Sequence, residues 1–396
     1  MIDGSGSWAL RLRNGQAVFD EFMEAAPFPI SRATLARRTG LSKPTVSALV
    51  SDLEDAGVVS LIPPETSQGR IGRPAAPYAL VPDAAVVVGV DMGATKVIVG
   101  VADLLGRVLA EDRIETASNA RAAVDAVVGS TTRLLASLGK GHLLESGCVG
   151  VPGVYRPRPD RVEMSPNLAG FSDLPIREEL SERLGVPVTI ENDVNLAAVA
   201  EAEAMDDRGG LDFVAISVGT GIGAGLVMDG RLYRGGHGAA GELGSIDISG
   251  VADNRAGRLT LEDLASAPAI RRRFRHAIDT GLTSRLERDA EVSEILLAAS
   301  SDDEAASEAL GIAAEAMASA VAWLCWFGDP ARIVFGGGVG SNPIFVDAVR
   351  SRLGGYLDET PELVASALGS RAAFMGAIST ARASVRTTFV RGRLGR

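Results

Sequence analysis

Three glycine-rich turns punctuate this chain, and each stands directly behind a short apolar run. Asp91-Met92-Gly93-Ala94-Thr95-Lys96 follows Val86–Val90, with Val97–Ala102 and Arg107–Ala110 as further short strands. Gly219-Thr220-Gly221-Ile222-Gly223-Ala224-Gly225 follows Phe213–Val218, and Gly336-Gly337-Gly338-Val339-Gly340 follows Ile333-Val334-Phe335. Glycine lets a backbone come close to a ligand, and consecutive N–H groups can then converge on an anion. In the first turn Asp91 can hold a magnesium ion through water, while Thr95 and Lys96 add a hydroxyl and a cation. The third offers a flat surface for an adenine. Alone, the first turn reads equally well as an ordinary hairpin, and none matches the P-loop or the dinucleotide fingerprint. Together the three predict two α/β lobes that close on a nucleotide.

A chain of 396 residues with 46% hydrophobic residues has room for two or three packed domains. No apolar run is read as reaching bilayer length, and the start lacks a secretory stretch, so a cytoplasmic protein with no membrane partner is expected. The two cysteines, Cys148 and Cys325, are far apart, which excludes a disulfide framework and a Cys-x-x-Cys zinc knuckle and leaves small core residues. The net charge of −11 is uneven. Residues 1–82 hold eight basic and eight acidic groups, and the remainder holds 31 basic against 42 acidic. An acidic body is repelled by DNA, so any DNA contact belongs to the neutral head. Residues 385–396, within a last stretch of five arginines and no acid, read as a solvated basic tail.

That head, residues 1–82, has a helical pattern. Val18, Phe19, Phe22 and Met23 recur at helical spacing until Pro27 and Pro29. Ser31 can cap a second helix to Arg38 with Ala33, Leu35 and Ala36 inside, Gly40 makes the turn, and Ser42 caps a third helix with Pro44 in its first turn. Val46, Leu49, Val50 and Leu53 form the inner stripe of that helix. Helix, glycine turn, helix is a helix-turn-helix, whose second helix enters the major groove by its start. Ser42, Lys43, Thr45 and Ser47 are the candidate phosphate and base contacts, with Arg32, Arg37 and Arg38 near the flanking backbone. Val58–Ile62 and Pro77–Val81 read as strands around a basic loop, a wing whose Arg70 and Arg73 can enter a minor groove. The alternative is a three-helix module that binds protein.

In the body, Asp193 lies just beyond Val186–Ile190, which reads as a strand and would point it into a cleft; an Asn-Asp turn capping a helix is the other reading. Residues from Leu264 into the 320s are mostly helix formers. Trp323 and Trp326 lie on a long apolar helix and are read as core, with a sugar-stacking pair as the alternative.

The turn motifs make the chain similar to the ROK family of repressors, open reading frames and kinases, within the actin/hexokinase-like superfamily. Asp91 to Lys96 resembles the family's first phosphate motif, Gly219-Thr220-Gly221 its second, and Gly336-Gly337-Gly338 its adenosine motif. The resemblance implies a two-lobed α/β body behind a small winged helix-turn-helix domain. The lobes would be residues 83–200, completed by a helix near 367–384, and residues 201–366. It also implies sugar contacts at Asn167, Asn192, Asp193, Glu242, Ser245 and Glu262, with Asp193 as catalytic base. Carboxylates and amides suit that work, because they read vicinal hydroxyls and can take a hydroxyl proton as a phosphoryl group arrives.

One departure is plain. The family's zinc site uses a His after Gly-Glu-Leu-Gly and three cysteines in the following loop. Here Ser245 stands at the His position and residues 248–258 contain no cysteine. No metal is expected, ATP with magnesium is an option rather than a requirement, and His237 reads as a polar contact or a solvated loop residue. Two functions follow: a sugar-responsive repressor bound to operator DNA as a homodimer or homotetramer, or an ATP-dependent hexose kinase that retains a head. The head favours the repressor.

Overall fold

The computed structural model describes residues 4–63, 76–93, 95–117, 119–163, 170, 172–205, 211–248 and 259–394. The head consists of α1 (Gly4–Ala25), β1 (Ile30–Ser31), α2 (Arg32–Thr39), α3 (Lys43–Asp55), β2 (Val59–Leu61) and β3 (Pro77–Leu80). Its helix ends are set locally. The Ser31 hydroxyl accepts the Thr34 N–H at 3.1 Å, Gly40 ends α2 at φ 70, and the Ser42 hydroxyl accepts the Thr45 N–H at 3.3 Å. Val46, Leu49, Val50 and Leu53 are buried together with Val18, Phe19, Phe22 and Leu35. Ala33 is exposed, because the eight-residue α2 turns only Leu35 fully inward. β2 and β3 pair antiparallel with Ser60 opposite Ala79, as a wing requires. The third strand, β1, pairs with β3 and is too short for periodicity to reveal.

The body continues with β4 (Val86–Met92), β5 (Lys96–Asp103), β6 (Val108–Glu115), α4 (Ala120–Leu138), β7 (Leu144–Val151), β8 (Val154–Arg156), β9 (Arg161–Glu163), α5 (Ile176–Leu184) and β10 (Val188–Asn192). Next come α6 (Asp193–Ala204), β11 (Phe213–Val218), β12 (Ile222–Met228), β13 (Arg231–Tyr233), α7 (Leu261–Ala265), α8 (Ala267–Asp279), α9 (Val292–Ala299) and α10 (Glu304–Gly328). The chain closes with β14 (Arg332–Gly336), α11 (Gly337–Gly340), α12 (Pro343–Leu353), β15 (Glu362–Ala365) and α13 (Ala372–Leu394). It divides into two compact units. The first holds Met1–Val149, Pro166–Ile190 and Ala377–Arg396; the second holds Gly150–Ser165 and Glu191–Gly376.

Two five-stranded sheets repeat one topology. Their orders are β6-β5-β4-β7-β10 and β13-β12-β11-β14-β15. In each, three successive strands form a meander and the last two add on the far side of the first. The first two glycine turns therefore occupy equivalent places, between the first and second strands of each sheet. Asp229 and Gly230, at φ 50 and 67, turn β12 into β13.

Three sequence expectations change here. Among the described residues α10 is long and apolar enough to cross a membrane, yet Ala305 to Ala322 supplies much of the second unit's buried core. Its last turns differ: Trp323, Trp326 and Phe327 are 46%, 60% and 83% exposed, so the tryptophans are surface groups rather than core. An unbroken apolar pattern cannot show where a helix outruns the layer that covers it. Finally, residues 385–394 are not a solvated tail. They continue α13, with Val385 and Phe389 buried.

Candidate functional site

In the head, Ser42, Lys43 and Pro44 are exposed at the start of α3, and Thr45 and Ser47 are half-buried beside them. The Ser42 and Thr45 hydroxyls lie 2.8 Å apart, so both also serve the cap. Arg32 is already engaged. Its guanidinium lies 4.8 Å from the Tyr78 ring centroid and donates to the Tyr78 hydroxyl at 2.7 Å, tying α2 to the root of the wing. Arg38 pairs with Glu21 at 3.3 Å, and Arg37 is exposed. Arg70 and Arg73 lie outside the described residues. Tyr78 was not foreseen; an aromatic at the wing root opposite a helix-start arginine was the available signal.

In the first unit, Asp91 belongs to the end of β4 rather than to the turn. The turn is closed by the Gly93 N–H donating to the Lys96 carbonyl at 2.9 Å. The Thr116 hydroxyl holds the Gly93 carbonyl at 2.7 Å, which joins this turn to the end of β6. Thr95 and Lys96 are exposed. Burial pushes the Asp91 carboxyl up to about 6, against the opposing pull of Lys96. A desolvated carboxylate beside an exposed ammonium has unused capacity for a cation or for groups a cation carries.

In the second unit, most of the remaining candidates converge on β12. Gly221 precedes it, and the Gly219 N–H donates to the Gly221 carbonyl at 2.9 Å. Glu262 Oε2 accepts the Ile222 N–H at 2.9 Å, and the Ala267 N–H donates to the Gly219 carbonyl at 2.8 Å. The joint between α7 and α8 thus holds the second glycine turn at both ends, leaving Thr220 exposed. The third cluster packs beside it. Gly337 has φ 78, and a Cβ there would lie 2.4 Å from the Val218 carbonyl oxygen. Gly338 faces open space, on a short helical turn rather than a flat sheet.

Farther along β12, Gly223 and Gly225 admit α6. A Cβ at Gly225 would stand 2.6 Å from that of Ala198, and one at Gly223 would stand 3.0 Å from Val194. This brings up the N-terminus of α6, where Asn192 is the cap and Asp193 the first residue. Asn192 Oδ1 accepts the N–H groups of Val194 and Asn195 at 2.9 and 3.0 Å, while its Nδ2 donates to the Gly153 carbonyl at 3.0 Å. Its neighbour Glu191 is buried and accepts from Asn195 Nδ2 at 2.9 Å and from Arg234 Nε at 2.6 Å. Asp193 is therefore presented by a strand end and a capped helix, both locked from behind. Between them, Ala224 receives the loop that carries Glu242: its N–H donates to the Gly241 carbonyl at 2.8 Å. Burial raises the Glu242 carboxyl above its ordinary range, and the charge of Glu262 raises it further. Ser245 is exposed one turn on.

Asn192, Asp193, Glu242, Glu262 and the second and third glycine turns thus share the second unit, and Asp91 to Lys96 lies in the first. Asn167 is outside the described residues, as are 249–258 of the loop that holds zinc in the family. Among the described residues no group of three His, Cys, Asp or Glu side chains could hold a metal. Ser245 is not a zinc ligand, so the donor set does not fit that ion. Gly153, Glu191 and Arg234 are the positioning groups not foreseen. Gly153 follows the apolar run of β7 much as Gly336 ends that of β14, and a glycine behind an apolar run was the available signal.

A capped helix-turn-helix with a wing, joined to paired sheets with glycine turns and a carboxylate-amide cluster, defines a DNA-binding protein built on a sugar-kinase-like body. The chain belongs to the ROK family, whose model matches residues 87–384, and residues 20–70 match the MarR family model. It is 27% identical over 320 residues to a glucokinase of Streptomyces coelicolor, covering 74% of this chain and 97% of that one. It is also 27% identical over 319 residues to a xylose repressor of Caldicellulosiruptor bescii, covering 78% and 79%. In fold it is similar to a ROK family transcriptional regulator described as a homologue of the E. coli MLC protein. That likeness has a TM-score of 0.80 at 22% identity and covers 97% of this chain and 99% of the other.

Proposed function

We propose that this protein is a sugar-responsive transcriptional repressor of carbohydrate genes. The heads bind an operator, and a monosaccharide or sugar phosphate binds the second unit around Asn192, Asp193, Glu242 and Glu262. The observation that carries this reading is the exposed start of α3, capped by Ser42, next to a paired wing, on a chain whose second unit gathers Asn192, Asp193, Glu242 and Glu262 around β12. The effector is an aldose such as glucose or xylose, in keeping with the glucokinase and xylose repressor relatives. The protein works in the cytoplasm as a homodimer or homotetramer, without zinc, and with ATP and magnesium as optional ligands. Arg70, Arg73 and Lys43 supply the phosphate and groove contacts, and Asn167 joins the sugar site.

The test is Glu242→Ala in the full chain. Titration of the gene's own upstream DNA should show unchanged binding without sugar, while the effect of glucose or xylose on that binding disappears. An unaltered sugar effect would move the effector site elsewhere. A second reading, a hexose kinase, is favoured by one observation: Asp193 is held at the first position of α6, where a carboxylate can take a hydroxyl proton. Ser245 in place of a histidine argues against efficient turnover.

A further inference from the structure

The contacts of α13 join the element that carries Asp193 to the element that supports the recognition helix. In the second unit α13 begins against α6. A Cβ at Gly376 would lie 1.8 Å from the Leu196 carbonyl oxygen, so the two backbones touch, three residues after Asp193. The same helix then continues in the first unit. There Ile378 fills the space over Gly89 of β4, the Ala381 carbonyl accepts the buried Ser146 hydroxyl at 2.7 Å, and Arg382 donates to the Leu104 carbonyl at 3.0 Å. Its last turns grip α1. Phe389 is 1% exposed and packs on Phe19 with ring centroids 5.5 Å apart. Arg386 reaches Asp20 at 3.2 Å and Glu24 at 3.3 Å, and the Arg386 carbonyl accepts from Gln16 Nε2. α1 also packs on the other helices of the head: Val18 and Phe22 are buried, and Arg11 pairs with Asp52 of α3 at 2.5 Å.

We propose that Arg386 and Phe389 are positioning residues that fix the DNA head to α13, and that α13 is the route by which a ligand on α6 reaches the head. One unbroken helix, Ala372–Leu394, thus bears on α6 at Gly376 and on α1 at Arg386 and Phe389, and packed helices shift as units rather than deform continuously. The body-side contacts of α13 are backbone and buried groups, whereas the Arg386 pairs are partly exposed. The Arg386 part of the grip on α1 can thus be loosened without unfolding the lobe, whereas Phe389 is as buried as the body-side contacts.

This inference rests on the regulator reading, and its test separates the two. Full-length wild type, Arg386→Lys, Arg386→Gln and Phe389→Ala are followed by hydrogen exchange with and without millimolar D-glucose or D-xylose, and by titration of upstream DNA. Arg386→Gln and Phe389→Ala should keep the sugar-induced protection of α6 and lose the sugar response of α1. Their ratio of DNA affinities with and without sugar should fall to about one, while Arg386→Lys, which keeps the charge, preserves it. For Arg386→Gln the sugar-free DNA affinity should change by less than about fivefold, the reach of an exposed ion pair. A ligand-free arm uses Gly376→Ala, which wedges α6 from α13 and should quicken exchange in α1. Sugar responses of α1 and DNA that persist undiminished in both Arg386→Gln and Phe389→Ala overturn the coupling. So does an α1 that is indifferent to Gly376→Ala in a folded variant. Wild type that binds sugar but not DNA overturns the regulator reading instead.

Discussion

Asp91 shows how burial can set a single carboxyl at the expense of stability. Its folded value of about 6 lies above the ordinary 3.8, and burial is the main cause. A raised acid binds its proton more tightly when folded. The stabilisation is therefore complete below pH 3.8 and is lost as pH rises through about 6. Above that, the ionised group costs roughly 3 kcal/mol at most, at about 1.4 kcal/mol for each unit. Asp91→Asn should accordingly raise the melting temperature near neutral pH and flatten the stability profile between about 4 and 6. An Asn variant less stable than wild type at neutral pH would mean that Lys96 compensates the charge fully. The sequence displayed Asp91 as a turn residue with a cation role. Its place inside β4 was hidden, because Asp91 and Met92 prolong the strand past the apolar run. Arg32 is similar, since nothing local reveals that its guanidinium donates to Tyr78, 46 residues on.

Elements were legible where their ends are set by neighbours in the chain. Ser31, Gly40 and Ser42 mark the head helices because caps act within a single turn. β1 and the surface turns of α10 were not, since a partner strand or a covering layer decides them. The loop that carries Glu242 lies between these cases. The sequence shows Gly241 before Glu242 but not why the glycine is needed. In the fold it has φ 92, and a Cβ would stand 1.8 Å from the Ala224 carbonyl oxygen. Gly241→Ala should therefore cost at least the 1–2 kcal/mol of a left-handed non-glycine residue, roughly, and should push Glu242 away from β12. Sugar affinity should drop with only a small loss in melting temperature, because the loop can yield while the core below it stays packed. A Gly241→Ala protein with wild-type sugar affinity would show that Glu242 does not need this close approach.

Across the whole molecule, the two-lobe plan was visible from three glycine turns, while the duplicated strand order appears only in the fold. Charge is distributed on this scale too. The body carries 31 basic and 42 acidic groups, the head eight of each, so long-range electrostatics oppose DNA binding and short-range contacts must provide it. That makes the salt dependence informative. Each lost phosphate contact should reduce the slope of log affinity against log salt by about 0.9, hence by nearly 2 for a variant present in both heads of a dimer. Lys43→Ala, at the exposed start of α3, and Arg73→Ala should each produce that change. Lys43→Ala should weaken all duplexes alike, whereas Arg73→Ala should weaken those with A/T-rich flanks most, where a narrow minor groove concentrates negative potential. Arg288→Ala is the control, since its guanidinium is paired with Asp279 at 2.7 Å in the acidic body. If Lys43→Ala and Arg73→Ala leave the slope at the wild-type value, DNA is held by another surface and the winged helix is not the reading head.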